Sequence, residues 1–162
     1  MTEYLLDANA TIALAVKEHV HRDAAQAWFA GVERAAITPV VEGALVRYLV
    51  RIGVGVRSVA RLLDAIHADA RIEFWRDELS YRDVDLGHVV GHRQVTDAYL
   101  AASASSRDAR LATFDRALAS TLPERTVLIP GARPVEGFIR REQTADRARR
   151  AGRPASRRAS DR

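Results

Sequence analysis

Short apolar runs, each followed by a stretch of helical periodicity, recur along this chain and leave few folds open to it. Tyr4–Leu6, Ala35–Ile37, residues 71–75, Arg110–Thr113 and residues 126–129 are such runs. At three to five residues each, they are too short for helices and read as buried strands. Between them, residues 9–16, 21–34, 39–51, 56–68 and 94–106 space their apolar side chains as helices do. The second of these should bury Ala24, Ala27, Trp28 and Val32, and the fourth Val59, Leu62, Leu63 and Ile66. Thr38 suits the cap of the third helix and Pro39 its first position, while Gly53 and Gly55 stop it. Residues 76–93 are polar and define no element, and a short helix should follow Asp115. Strands alternating with helices predict an α/β fold with a mainly parallel central sheet. Ligands of such sheets gather beyond the carboxyl ends of the strands.

A length of 162 residues suits one domain with a single core. No apolar run approaches the roughly 18 residues that a membrane span needs, so no membrane association is expected. The N-terminus lacks the basic start and apolar stretch of a signal peptide. There is no cysteine, which removes disulfides and thiolate metal sites, and a cytoplasmic location is the expectation. Charge is unevenly placed. Residues 138–162 hold nine arginines against Glu142, Asp146 and Asp161, a net of +6; the whole-chain +4 then leaves −2 for residues 1–137. A mildly acidic body with a polybasic arm is the pattern, rather than a basic surface throughout. Residues 1–139 are therefore expected to fold, and residues 140–162 to form a basic, disordered tail that lacks apolar groups to offset ordering entropy.

Four acids interrupt apolar patterns. Asp7 follows Tyr4-Leu5-Leu6 directly. Glu42 lies beside the buried face marked by Leu45 and Leu49. Asp97 is the only charge between Val95 and Ser106, and Asp115 follows Leu111-Ala112-Thr113-Phe114. Each has an ordinary structural explanation when taken singly. Asp7 and Asp115 suit helix caps, Asp97 a first helical turn favoured by the macrodipole, and Glu42 a pairing with Arg47 or Arg51. Taken together they imply more. Converging carboxylates at about 4 Å and an effective dielectric of about 20 repel by roughly 4 kcal/mol per pair. Bound cations are the usual remedy, and an all-oxygen donor set suits Mg²⁺ or Mn²⁺ rather than zinc. Such ions among carboxylates support phosphodiester hydrolysis.

The segments Leu5-Leu6-Asp7-Ala8-Asn9, Val40-Val41-Glu42, Val95-Thr96-Asp97-Ala98-Tyr99-Leu100 and Leu111-Ala112-Thr113-Phe114-Asp115 resemble the acidic motifs of PIN-domain nucleases, most closely the VapC toxins. The last two, with Asp97 and Asp115 18 residues apart, are the more specific. The resemblance covers residues 2–130 and implies a parallel sheet with helices on both faces. It implies that Asp7, Glu42, Asp97 and Asp115 are catalytic, metal-binding carboxylates, supported by the polar Asn9 and Thr113. It further implies a Mg²⁺-dependent endoribonuclease that cuts RNA with a metal-activated water, leaving a 5′-phosphate and a 3′-hydroxyl. The family is usually homodimeric and is blocked by a small VapB-like antitoxin.

Two other readings compete. A haloacid-dehalogenase-like phosphatase also begins with a strand and an Asp, but it needs a second Asp where Asn9 stands, and a downstream lysine; Lys17 is the only lysine here. A non-catalytic RNA- or protein-binding module on the same fold is the alternative that intact acids argue against. No two of the five histidines, His67 among them, lie on one helix at the spacing of a zinc site, and they read as structural. Trp28, Phe29, Phe74 and Trp75 read as core or dimer contacts rather than base-stacking platforms.

Overall fold

The computed structural model describes residues 2–131; the expected boundary near residue 139 and the basic tail at 140–162 lie outside them. Five strands form one sheet: β1 (Tyr4–Leu6), β2 (Ala35–Ile37), β3 (Ile72–Phe74), β4 (Arg110–Thr113) and β5 (Thr126–Leu128). Their order is β3-β2-β1-β4-β5, and every neighbouring pair is parallel. The helices are α1 (Ala8–Ala15), α2 (Arg22–Phe29), α3 (Pro39–Arg51), α4 (Val56–Ala68), α5 (Gln94–Ser105) and α6 (Arg116–Thr121). Residues 76–93 contain one 3₁₀ turn, Tyr81–Asp83, and no other regular element.

The chain runs outward from β1 to β2 to β3, then crosses back past β1 to β4 and on to β5. Right-handed crossovers place helices on opposite faces when the direction of travel reverses. The reversal falls between β1 and β4, whose connections leave in opposite directions. That crevice, at the carboxyl ends of the two strands, is where α/β sheets bind ligands.

Strands buried on both faces read as continuous apolar runs. Leu5, Leu6, Ala35, Ala36, Ile37, Leu111 and Ala112 are all essentially inaccessible. Burying each of the larger ones contributes roughly 1.5–3 kcal/mol. A second cluster of Ile12, Val16, Leu45, Leu49 and Val59 locks α1, α3 and α4 together. The α3–α4 turn needs Gly53, whose φ of 86° lies where a side chain is strained.

Helix α2 departs from its expected form. It ends at Phe29 instead of continuing to residue 34, and it buries Ala25 and Phe29. Ala27 is exposed, Ala24 and Trp28 are half-buried, and Val32 is buried from the loop beyond the helix. Once the helix stops and Gly31 and Val32 turn into β2, the apolar face is set by the shorter segment. Thr38 occupies the cap position of α3 with Pro39 just inside, but its hydroxyl makes no capping bond.

Candidate active site

Asp7 follows β1 and Asp115 follows β4, on the two sides of the reversal. Both do cap helices. Asp7 Oδ1 accepts from the Ala10 amide at 2.5 Å, and Asp115 Oδ1 from the Leu118 amide at 3.0 Å. Capping fixes their backbones beyond the strand ends while committing only one oxygen of each.

Thr113, the last residue of β4, ties the two together. Its buried hydroxyl accepts from the Asp115 amide at 2.9 Å and hydrogen-bonds the Asp7 carboxylate. Asp97 reaches the same place from the first turn of α5. That helix buries Ala98, Tyr99, Leu100, Ala101 and Ala104, so its one charge can only lie at the rim of a packed surface. Asn9 is exposed in the first turn of α1, two residues beyond Asp7.

Asp7 and Asp97 both feel the charge of Asp115, and Asp7 that of Asp97 as well. Burial pushes the Asp7 carboxyl up from 3.8 to about 6, against the opposing bonds from Thr113 and Ala10. The charges of Asp97 and Asp115 raise it further. Asp97 is also raised, first by burial and then by Asp115. The charges that act on Asp7 are thus both negative, and its side chain is only 5% exposed.

Glu42 stands apart from this group. It lies in the first turn of α3, and its Oε1 is 2.5 Å from Nε2 of His67 in the last turn of α4. The pairing with Arg47 or Arg51 considered from sequence is not made. Arg51 lies over the Tyr48 ring instead, and α3 packing against α4 delivers a partner from 25 residues away. No signal in the sequence marked His67, because the contact depends on how two helices pack.

Among the described residues, no three acidic or histidine side chains already form a group arranged to hold a metal ion. The chemistry of the donor set nonetheless suits one. Three carboxylates, with Asp7 almost wholly buried and both Asp7 and Asp97 held above the usual carboxylate range, suit a hard divalent cation with oxygen ligands. Elsewhere, a cavity of about 510 Å³ opens between α1, α2 and α4; Leu6, Ile37, Lys17, Arg22 and Arg71 help line it, and none of the four acids does.

Comparisons with known proteins agree with this fold. The sequence pattern of the family described as PIN domain matches residues 4–121. The chain is 49% identical over 127 residues to "Ribonuclease VapC29" of Mycobacterium tuberculosis, covering 78% of this chain and 96% of that one. It is 36% identical over 118 residues to "Ribonuclease VapC38" of the same species, covering 68% and 84%. Among solved structures, the fold resembles VapC20 of Mycobacterium tuberculosis, described as a sarcin-ricin loop cleaving toxin, with a TM-score of 0.57 at 14% identity, covering 73% of this chain and 94% of that one. It also resembles VapBC2 of Rickettsia felis bound to a promoter DNA fragment, with a TM-score of 0.57 at 19% identity over 78% and 97% of the two chains.

Proposed function

This chain belongs to the PIN-domain family as a VapC-like ribonuclease toxin, and we propose that Asp7, Asp97, Asp115 and Glu42 are its catalytic carboxylates and hold a divalent metal, Mg²⁺ or Mn²⁺. The observation that carries the site assignment is the placement of Asp7 and Asp115 beyond the ends of the paired strands β1 and β4, where the charges of Asp97 and Asp115 both act on buried Asp7. A cation bound there supplies charge stabilisation to the phosphodiester and acidifies water for attack.

The protein's own residues prepare that crevice. Caps on α1 and α6 fix where the Asp7 and Asp115 side chains begin, and Thr113 sets the distance between them by bonding to both. The apolar body of α5 holds Asp97 at the rim. Glu42 joins the set only by leaving His67, or by acting through water while still bonded to it. Asn9, exposed beside Asp7, is placed to meet substrate. Burial of Asp7 keeps bulk water from screening the cluster, which strengthens any charge interaction made there.

The partner is a VapB-like antitoxin. In this reading it suppresses activity by presenting a cationic side chain to the same carboxylates. The protein acts on RNA in the cytoplasm, as a homodimer; Val50, Ile52 and Val56, exposed around the α3–α4 turn, support a further apolar contact. Among the described residues no helix is long and apolar enough to cross a membrane.

The test is RNA cleavage by purified protein with Mg²⁺, with a chelator, and with a co-purified antitoxin. Cleavage should require the metal and be suppressed by the antitoxin. Equal cleavage with and without chelator would remove the metal from the reading. Equal cleavage with and without antitoxin would remove the partner.

A further inference from the structure

Of the two places expected for Phe74, core or dimer contact, the core is not the one it takes: the residue is 38% exposed. It ends β3, at the carboxyl edge of the sheet, in register with Ile37 of β2. Two strand spacings of about 4.8 Å separate β3 from β1, which carries Asp7. An RNA strand covers that span in a nucleotide or two. The phenyl ring is not isolated there. His67 lies 5.3 Å away, centroid to centroid, with the two rings tilted by 35°. The imidazole is itself 44% exposed and is bonded through Nε2 to Glu42. A continuous path of side chains, Phe74 to His67 to Glu42, therefore runs from an open aromatic surface to a candidate site residue.

The other large aromatics nearby are spent differently. Trp75, the next residue, is 3% exposed and carries Arg107 over its ring. Phe29 is buried beneath Arg71. Phe74 alternates with Trp75 along the strand, so its ring falls on the face that holds α4 and remains partly open. An aromatic ring at the rim of a nucleic-acid site binds bases by stacking, whatever their identity, because every base has a π-face.

We propose that Phe74 and His67 form a nucleobase-stacking subsite, which receives a base of the RNA next to the phosphate held at the carboxylates. Phe74 supplies the stacking surface. His67 braces that ring and, through its bond to Glu42, is itself held against α3. The inference rests on the ribonuclease reading, but its readout does not depend on cleavage.

The experiment uses the full chain carrying Asp97→Asn, so that RNA is bound but not consumed. The probe is short single-stranded RNA of randomised sequence containing 2-aminopurine, whose fluorescence falls when the base stacks. The parent should quench the probe. Phe74→Ala and Phe74→Leu should both lose the quench and bind about tenfold more weakly or worse, with melting temperatures unchanged. Phe74→Trp should restore both. Leucine separates stacking from mere apolar contact. Unchanged quench and affinity in Phe74→Ala and Phe74→Leu would overturn the proposal. So would unchanged RNA binding combined with altered self-association or antitoxin affinity, which would make the surface a protein contact. Failure of the unsubstituted protein to cleave RNA would instead strike the ribonuclease reading, and the quench would still report on the base contact.

Discussion

Asp7 serves two physical roles that pull in opposite directions. As a cap it stabilises α1, since substituting such a cap by Ala typically costs about 1 kcal/mol. As a buried carboxylate facing two others it destabilises the metal-free fold. Its folded-state pKa is raised from 3.8 to about 6, so the unfolded chain releases this proton first as pH rises. The contribution of Asp7 to stability should therefore fall between about pH 4 and pH 6 and stay level above, by roughly 3 kcal/mol at 1.36 kcal/mol per pKa unit. Asp7→Asn keeps a capping oxygen and removes the charge. Denaturant unfolding of the metal-free variant should show a shallower decline across that window, and at pH 7 the variant should match or exceed the parent. A variant less stable than the parent at pH 7 would show that capping and the Thr113 bond outweigh the repulsion. At the same scale, His67 shows what the sequence withholds. Glu42 stood out against its apolar neighbours, but its partner lay 25 residues away on another helix, and no local pattern encodes that pairing.

At the scale of elements, β4 and its final residue carry the next test. Thr113→Val keeps the shape of a buried strand residue but removes the hydroxyl that bonds to both Asp115 and Asp7. The Asp115 amide then loses its acceptor. The expected cost is about 1–3 kcal/mol in chemical denaturation, with weakened Mg²⁺-linked stabilisation; Thr113→Ser should recover most of both. Full stability and full metal response in Thr113→Val would contradict the bridging role. The five strands were legible because each apolar run is short and bounded. Asp7 and Asp115 were legible as strand-end acids for the same reason. The end of α2 was not, because apolar spacing continued to Val32 after the helix had stopped, and tertiary burial of that loop mimicked helical periodicity. Residues 76–93 gave no pattern because they contain little regular structure to give one. The exposure of Phe74 was not legible because a strand of three residues, two of them exposed, carries no alternation long enough to show which side of the sheet is open.

For the whole molecule, charge is divided unevenly along the sequence. Nine arginines in residues 138–162 give a net +6 beside a body of −2. Deleting residues 140–162 should weaken RNA affinity modestly and flatten its dependence on salt, because fewer counterions are released. The melting temperature should barely move, and a large drop would place the domain boundary further along the chain. The strand order turns back between β1 and β4, with Asp7 and Asp115 beyond their ends, and the charges of Asp97 and Asp115 both act on Asp7. In the proposed function this cluster binds the metal and drives the cleavage. Its most direct test is the rate of RNA cleavage against Mg²⁺ concentration for the parent and for Asp97→Asn. Asp97 caps no helix, and its substitution leaves the core untouched. Metal-dependent cleavage is expected of the parent and a loss of two or more orders of magnitude in the variant, as typifies loss of a group stabilising transition-state charge, with folding intact. Cleavage by Asp97→Asn at the parental rate and with the parental Mg²⁺ dependence would contradict it.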